Sequence, residues 1–193
     1  SITEETHFNQ DAANNVYSLT KYAAEMEVWR ATQEGLDAVI VNPGVILGAG
    51  SWHTGSGAIF KLAHKGMSYF TSGSIALVDV RDVVLAMQGL MNSDLKNERY
   101  VLVGATLSYK EFTKELALAF DKNPPKKEIA EWKLLLISTI DGLVSSLFGT
   151  KRKLQKANVK SLYTRSNYNA HKIEKALSFS FTTASQTIKR VAS

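Results

Sequence analysis

Tyr17 and Lys21 lie four residues apart in the run Tyr17-Ser18-Leu19-Thr20-Lys21, and on a helix that spacing sets a phenol beside an ammonium. A neighbouring cation favours the phenolate, so the pair has the makings of a proton donor and acceptor. Lowering a phenol's pKa by ~3 units takes roughly 4 kcal/mol of differential stabilisation, more than one solvated lysine supplies. The chemistry therefore asks for a second positive group near Tyr17.

The element that must carry the pair is a helix over about residues 12–34, with Asp11, Asn14 and Asn15 as N-cap candidates and Gly35 as its stop. Val16, Leu19, Ala23, Met26 and Arg30 recur at helical spacing beside a second stripe of Tyr17, Lys21, Ala24 and Val28. Leu36-Asp37-Ala38-Val39-Ile40-Val41 follows at once, a short apolar run suited to a strand buried on both faces of a parallel sheet. Asn42-Pro43-Gly44 is expected to end that strand, at the carboxyl end where open α/β sheets bind their ligands.

Three ordered stretches, Tyr17-Ser-Leu-Thr-Lys21-Tyr-Ala-Ala-Glu25, Val41-Asn-Pro-Gly-Val-Ile-Leu-Gly48 and Val78-Asp-Val-Arg-Asp-Val-Val84, resemble the extended short-chain dehydrogenase/reductase family, which includes NAD-dependent epimerases and dehydratases. Their wording is most similar to dihydroflavonol-4-reductase-like and hydroxysteroid-dehydrogenase-like members. Tyr168-Asn-Ala-His-Lys172, followed by Ala176-Leu177-Ser178-Phe179, resembles the family's closing helix-and-turn segment. The resemblance implies an α/β fold: the C-terminal part of a Rossmann-type doubly wound parallel sheet plus a mostly helical substrate-side lobe. Residues 1–104 would belong to the dinucleotide-binding domain with an interleaved substrate loop, and 105–193 to the lobe.

The same resemblance implies roles. Tyr17 would be the general acid/base that protonates a carbonyl oxygen during hydride transfer, or deprotonates an alcohol in reverse. Lys21 would hold the nicotinamide ribose hydroxyls and tune Tyr17, the oxidised ring being the second positive group. The backbone of Pro43, Gly44, Val45 and Ile46 would lie against the nicotinamide of NAD or NADP. Trp52 and His53 stand where family members place substrate-facing residues, Trp52 either as a hydrophobic wall or as an indole packed under its loop. Phe60, Met67, Tyr69 and Phe70 read as core.

One family element has no counterpart. A dinucleotide site needs a glycine-rich turn between a first strand and a first helix, so that backbone amides take the pyrophosphate. Gly48-Ala-Gly50-Ser-Trp-His53 and Gly55-Ser-Gly57-Ala-Ile-Phe60 each supply the first two glycines without the third, and neither opens a βαβ unit. In the family, about half the sheet precedes the Tyr-Lys helix, together with a serine or threonine that bonds the substrate carbonyl. The expectation is that these 193 residues are the C-terminal part of a longer enzyme and inactive alone.

Composition narrows the classes. The 45% hydrophobic and 21% charged residues suit one ordinary folded domain. With no cysteine there is neither a disulfide framework nor a thiolate metal site, and His7, His53, His64 and His171 lack ligand spacing, so no metal is expected. The net charge of +5 is concentrated in Lys122 to Lys127 and Lys151 to Lys160 without interleaved aromatics, so nucleic acid is not the expected partner. Trp132 to Gly149 is apolar but carries Lys133 and Asp141; it is expected as an amphipathic helix of the lobe rather than a membrane span or surface-lying helix. With the polar opening Ser1 to Gln10, a cytoplasmic protein is expected.

Downstream, the patterning predicts a helix over 58–65, a strand over 75–80, a helix over 80–91 with Asp79 as N-cap, and a strand over 100–103. Ser108-Tyr-Lys-Glu111 is a capping box for a helix to about Phe120, and helices are expected over 129–148, 153–162, 169–177 and 184–191. The expected function is an NAD(P)-dependent oxidoreductase acting on a ketone or secondary alcohol. The alternatives are a nucleotide-sugar epimerase or dehydratase using the same Tyr17 and Lys21, and a non-catalytic module that only folds or assembles. A homodimer through the Tyr17–Lys21 helix fits any of the three.

Overall fold

A computed structural model describes residues 1–8, 16–50, 52, 55–149 and 156–193. Helix α1 (Val16–Gln33) carries Tyr17 and Lys21, and good helix formers fill its second half from Lys21 to Arg30. Arg30 pairs with Glu27 at 3.0 Å and Glu34 at 2.6 Å in the last turn, and Gly35 stops the helix at φ +99°. The N-cap candidates Asp11, Asn14 and Asn15 lie outside the described residues.

Strand β1 (Val39–Pro43) does not end the run as expected from Asn42-Pro43-Gly44. After Gly44 alone the chain continues as β2 (Val45–Leu47), and the two halves pair with different neighbours. Helix α2 (Gly57–Lys65), short β3 (Tyr69–Phe70), β4 (Ser74–Asp79), α3 (Val80–Met91) and β5 (Glu98–Leu102) follow. Then come β6 (Ala105–Ser108), α4 (Tyr109–Ala119), short β7 (Lys127–Glu128) and four further helices: α5 (Glu131–Phe148), α6 (Lys156–Ser161), α7 (His171–Leu177) and α8 (Ala184–Ala192). The capping box at Ser108 and Glu111 forms as expected, and Thr183 with Gln186 makes a second at α8.

The register explains the strand switch. β1 runs parallel to β5 from Val39 opposite Glu98 to Pro43 opposite Leu102, whereas β2 runs parallel to β4, with Val45 opposite Leu77. At the crossover Gly44 donates its N–H to the Leu102 carbonyl, and a Cβ there would stand 2.8 Å from the Ala76 oxygen. Only glycine allows that approach. β6, which no sequence signal separated from the following capping box, returns antiparallel to β4 with Ser108 opposite Ser74. The sheets are therefore parallel apart from β6, in keeping with the Rossmann-type reading.

Two apolar clusters flank these strands. Leu47, Phe60, Leu77, Phe112, Leu116 and Ile188 form one between α2, α4 and α8; Val78, Leu90, Tyr100, Leu102 and Ile173 form the other beneath α3 and α7. The boundary at residue 104 falls between β5 and β6, and β6 from its far side pairs with β4 from its near side. Among the described residues, no helix is long and apolar enough to cross a membrane.

Candidate active site

Where β1 crosses to β2, the chain opens a cleft of about 840 Å³. Its wall brings Tyr17 of α1 together with Asn42, Pro43, Gly44, Val45 and Ile46. Tyr17 is 72% exposed, and among the described residues its hydroxyl has no hydrogen-bond partner. Val45 and Ile46 are 37% and 36% exposed, so apolar side chains face solvent beside a free phenol. The cleft also has a polar lining, with Ser74, Tyr109, Ser161, Thr164 and Ser166. Burial raises the Tyr109 hydroxyl above the usual phenol range, so that side chain stays a neutral hydrogen-bonding group.

Glu25, two helical turns past Tyr17, fixes the angle between α1 and the crossover. Its carboxylate accepts from Asn42 Nδ2 at 3.0 Å, from Arg99 at 3.0 Å and from Trp29 Nε1 at 3.3 Å. Arg99 also donates to the Glu4 carbonyl and, at 3.0 Å, to that of Thr6. The segment before α1 is thereby tied to β5, and Glu4 itself accepts from the Val101 amide at 2.9 Å. Its first residues run beside the C-terminal segment, with the Ile2 amide donating to the Asn167 carbonyl at 2.7 Å.

The polar lining is pinned by backbone. Gly73 donates to Leu162 O at 3.1 Å, Ser74 N to Thr164 O at 3.0 Å, and the Ser74 hydroxyl to Ser166 O at 3.0 Å. Behind it, Asp79 caps α3 by accepting from Arg81 N at 2.8 Å, and also accepts from Thr187 Oγ1 at 2.9 Å and from Arg190 at 2.6 Å. Burial opposes the Asp79 charge, but the bond and charge of Arg190, with the Arg81 and Thr187 donors, hold its carboxyl below the usual range. Asp82, one turn on, accepts from both the amide and the hydroxyl of Thr182, at 2.7 and 2.9 Å. The Val78-Asp-Val-Arg-Asp stretch thus latches α8 and its approach onto the sheet.

Residues 2–86 match the family described as male sterility protein. A curated protein of Synechocystis named "Putative dihydroflavonol 4-reductase" is 28% identical over 164 residues, which cover 81% of this chain and 47% of that protein. "Sterol demethylase protein B" of Methylococcus capsulatus is 33% identical over 90 residues, covering 46% and 27%. Over these residues the chain is similar to reductases of the extended short-chain dehydrogenase/reductase type. It spans less than half the length of these two curated relatives.

Solved structures carry the same fold. A nucleoside-diphosphate-sugar epimerase from Pseudomonas aeruginosa superposes with a TM-score of 0.70 at 19% identity, over 97% of this chain and 58% of that one. A dTDP-glucose 4,6-dehydratase from Bacillus anthracis, solved with NAD, gives 0.65 at 14% identity, over 100% and 56%.

Within this Rossmann-type fold, Tyr17 and residues Pro43 to Ile46 line the same cleft, while Lys21 is exposed one turn further along α1 and is not among the cleft-lining residues. Trp52 is turned away from the cleft: its indole meets Phe120 and His64 edge-on, with centroids 5.6 and 5.7 Å apart. His53 lies outside the described residues. The residues that sequence reasoning passed over are Asn42, Ser74, Tyr109 and Arg99. Asn42 and Glu25 stood inside the quoted motifs, but nothing local marked them as partners.

Proposed function

We propose that the chain supplies the acid/base half of an NAD(P)-dependent oxidoreductase that moves hydride between the nicotinamide and a ketone or secondary alcohol. The observation that supports this reading is that an exposed phenol, Tyr17, and residues Pro43 to Ile46 line the same cleft. The residues suit a flat, partly apolar ring: Val45 and Ile46 offer exposed apolar surface, and the turn at Gly44 leaves no side chain in the way. A nicotinamide bound there supplies the hydride. Tyr17 gives its proton to the carbonyl oxygen and takes one from the alcohol in reverse. Lys21 holds ribose hydroxyls and keeps a positive charge near the phenol, while Glu25 keeps α1 at a fixed angle to the turn.

Reduction is favoured over sugar-nucleotide epimerisation or dehydration by the state of Arg99. Among the described residues it is the only arginine that lines the cleft, and four of its five N–H donors are already taken by Glu25 and the Glu4 and Thr6 carbonyls. Little remains to clamp a diphosphate. An apolar, ring-containing substrate fits this wall, and one curated relative is named for a sterol. The epimerase or dehydratase reading rests on the names of the solved neighbours.

The deciding experiment uses the enzyme complete with a dinucleotide-binding half. Tyr17→Phe is expected to lower kcat by about 100- to 10,000-fold while NAD(P)H binding stays unchanged; turnover at the original rate would end the reading. The exposed Val16, Leu19 and Met26 on α1 further support a homodimer through that helix. Light scattering should then read twice the subunit mass, and a monomer at working concentrations counts against it.

A further inference from the structure

Helix α5 leaves most of its large apolar side chains uncovered. Ser138 is fully buried and Asp141, Gly142 and Ser145 are half-buried, while Trp132, Leu136, Ile140, Leu143 and Leu147 are 62, 54, 52, 61 and 79% exposed. These five recur at spacings of four, four, three and four, and so form one stripe, widened by Ile137 and Val144. Leu134 and Leu135 are the half-buried leucines of the helix, so the exposed stripe is apolar surface in excess of what the domain covers, and it has its partner elsewhere.

Charge identifies that partner. Residues 121–160 hold nine Lys and Arg against four Asp and Glu, a surplus equal to the +5 of the whole chain. The surplus follows the stripe: residues 121–149 are neutral, with four Lys against four Asp and Glu, and five Lys and Arg with no acid stand in 150–160, Lys156 and Lys160 among them exposed; within the helix Lys133 stands 5.5 Å over the Trp132 ring. Asp141 sits on the half-buried side, away from the stripe. An indole at one end, an unbroken apolar stripe and lysines after it suit the boundary between phospholipid headgroups and acyl chains. We propose that α5 lies in the surface plane of an anionic phospholipid bilayer, its leucines in the acyl boundary and its lysines at the headgroups. The helix lies on the membrane and does not cross it. The proposal does not depend on the redox reading of the cleft.

The test is co-sedimentation of the purified full chain with phosphatidylcholine vesicles, with and without phosphatidylglycerol. Binding to the anionic vesicles is expected to exceed that to neutral ones by ~10-fold or more and to weaken as salt rises. Leu136→Glu with Ile140→Glu and Leu143→Glu, all at exposed positions, should reduce partitioning by ~10-fold or more without changing the thermal melt. Lys156→Glu with Lys160→Glu should weaken binding to the anionic vesicles alone. Equal binding to both vesicle types, or a triple variant that binds like the parent, overturns the proposal. So does a chain that ignores vesicles but forms a dimer that the triple variant dissociates, since the stripe would then belong to a second copy.

Discussion

Gly44 is where one missing atom decides both packing and chemistry. An added Cβ would meet the Ala76 oxygen at 2.8 Å and the Val103 side chain at 3.2 Å, and β4 backbone cannot swing aside as a flexible side chain would. Gly44→Ala is therefore expected to cost about 1–3 kcal/mol through overpacking, read as a lower melting temperature, and to displace the Pro43–Ile46 wall from Tyr17. An alanine variant with the parent's stability would mean that the crossover is looser than its geometry. The Pro-Gly pair was legible in the sequence as a backbone feature, but its effect was not: it changes the strand's partner rather than ending the strand. Glu25 teaches the same lesson. Its place two turns beyond Tyr17 is visible in the motif, whereas its partners Asn42 and Arg99 come from β1 and β5. Spacing gives which residues share a helix face; it cannot give what the face meets.

At the scale of elements, the helices and long strands follow from local signals, because apolar period, capping boxes and glycine stops act within a few residues. β6 escaped because the alternation of Ala105-Thr-Leu-Ser108 lasts only four residues and runs straight into the capping box; it is register with β4 that holds it as a strand. The joint between α3 and α8 depends on a buried charge. Asp79 is almost fully buried and Arg190 about a quarter exposed, so Arg190→Leu leaves a carboxylate with only the Thr187 and Arg81 donors. Removing one partner of such a pair costs about 3 kcal/mol, toward the low end because water reaches the arginine. In a domain of this size that corresponds to a fall of about 6–12 °C in melting temperature.

The pH dependence fixes the sign. In the parent, Asp79 titrates below its unfolded value, so its stabilisation is present above about pH 4 and is lost as pH falls through the lowered folded value. Without Arg190, burial would push the Asp79 carboxyl upward instead, and protonation would relieve the variant. The gap between parent and Arg190→Leu should therefore narrow as pH drops towards 4; a gap that widens would place the cost somewhere other than this pair.

For the molecule as a whole, the division of labour in the site explains what the chain can bind. In the proposed reading the cleft serves one end of a dinucleotide, with the Tyr17 phenol, the apolar Val45 and Ile46, and Lys21 outside the cleft one turn along α1. Most of a dinucleotide's affinity comes from its pyrophosphate, which needs several converging backbone amides at a helix N-terminus behind a glycine-rich turn. No sequence stretch of the 193 residues has that pattern, and β1 pairs with β5 on one side while no described strand pairs with its other edge. The likeness was legible because three short motifs carry it, and the glycine-rich turn has no counterpart among the 193 residues. Isothermal titration of the chain with NAD(H) or NADP(H) should thus give no heat assignable to a site in the micromolar range, while the same residues within an enzyme that adds the glycine-rich half should bind. Micromolar affinity in the chain alone would mean that the Pro43–Ile46 wall and Lys21 suffice, and that the pyrophosphate is not the anchor this division requires.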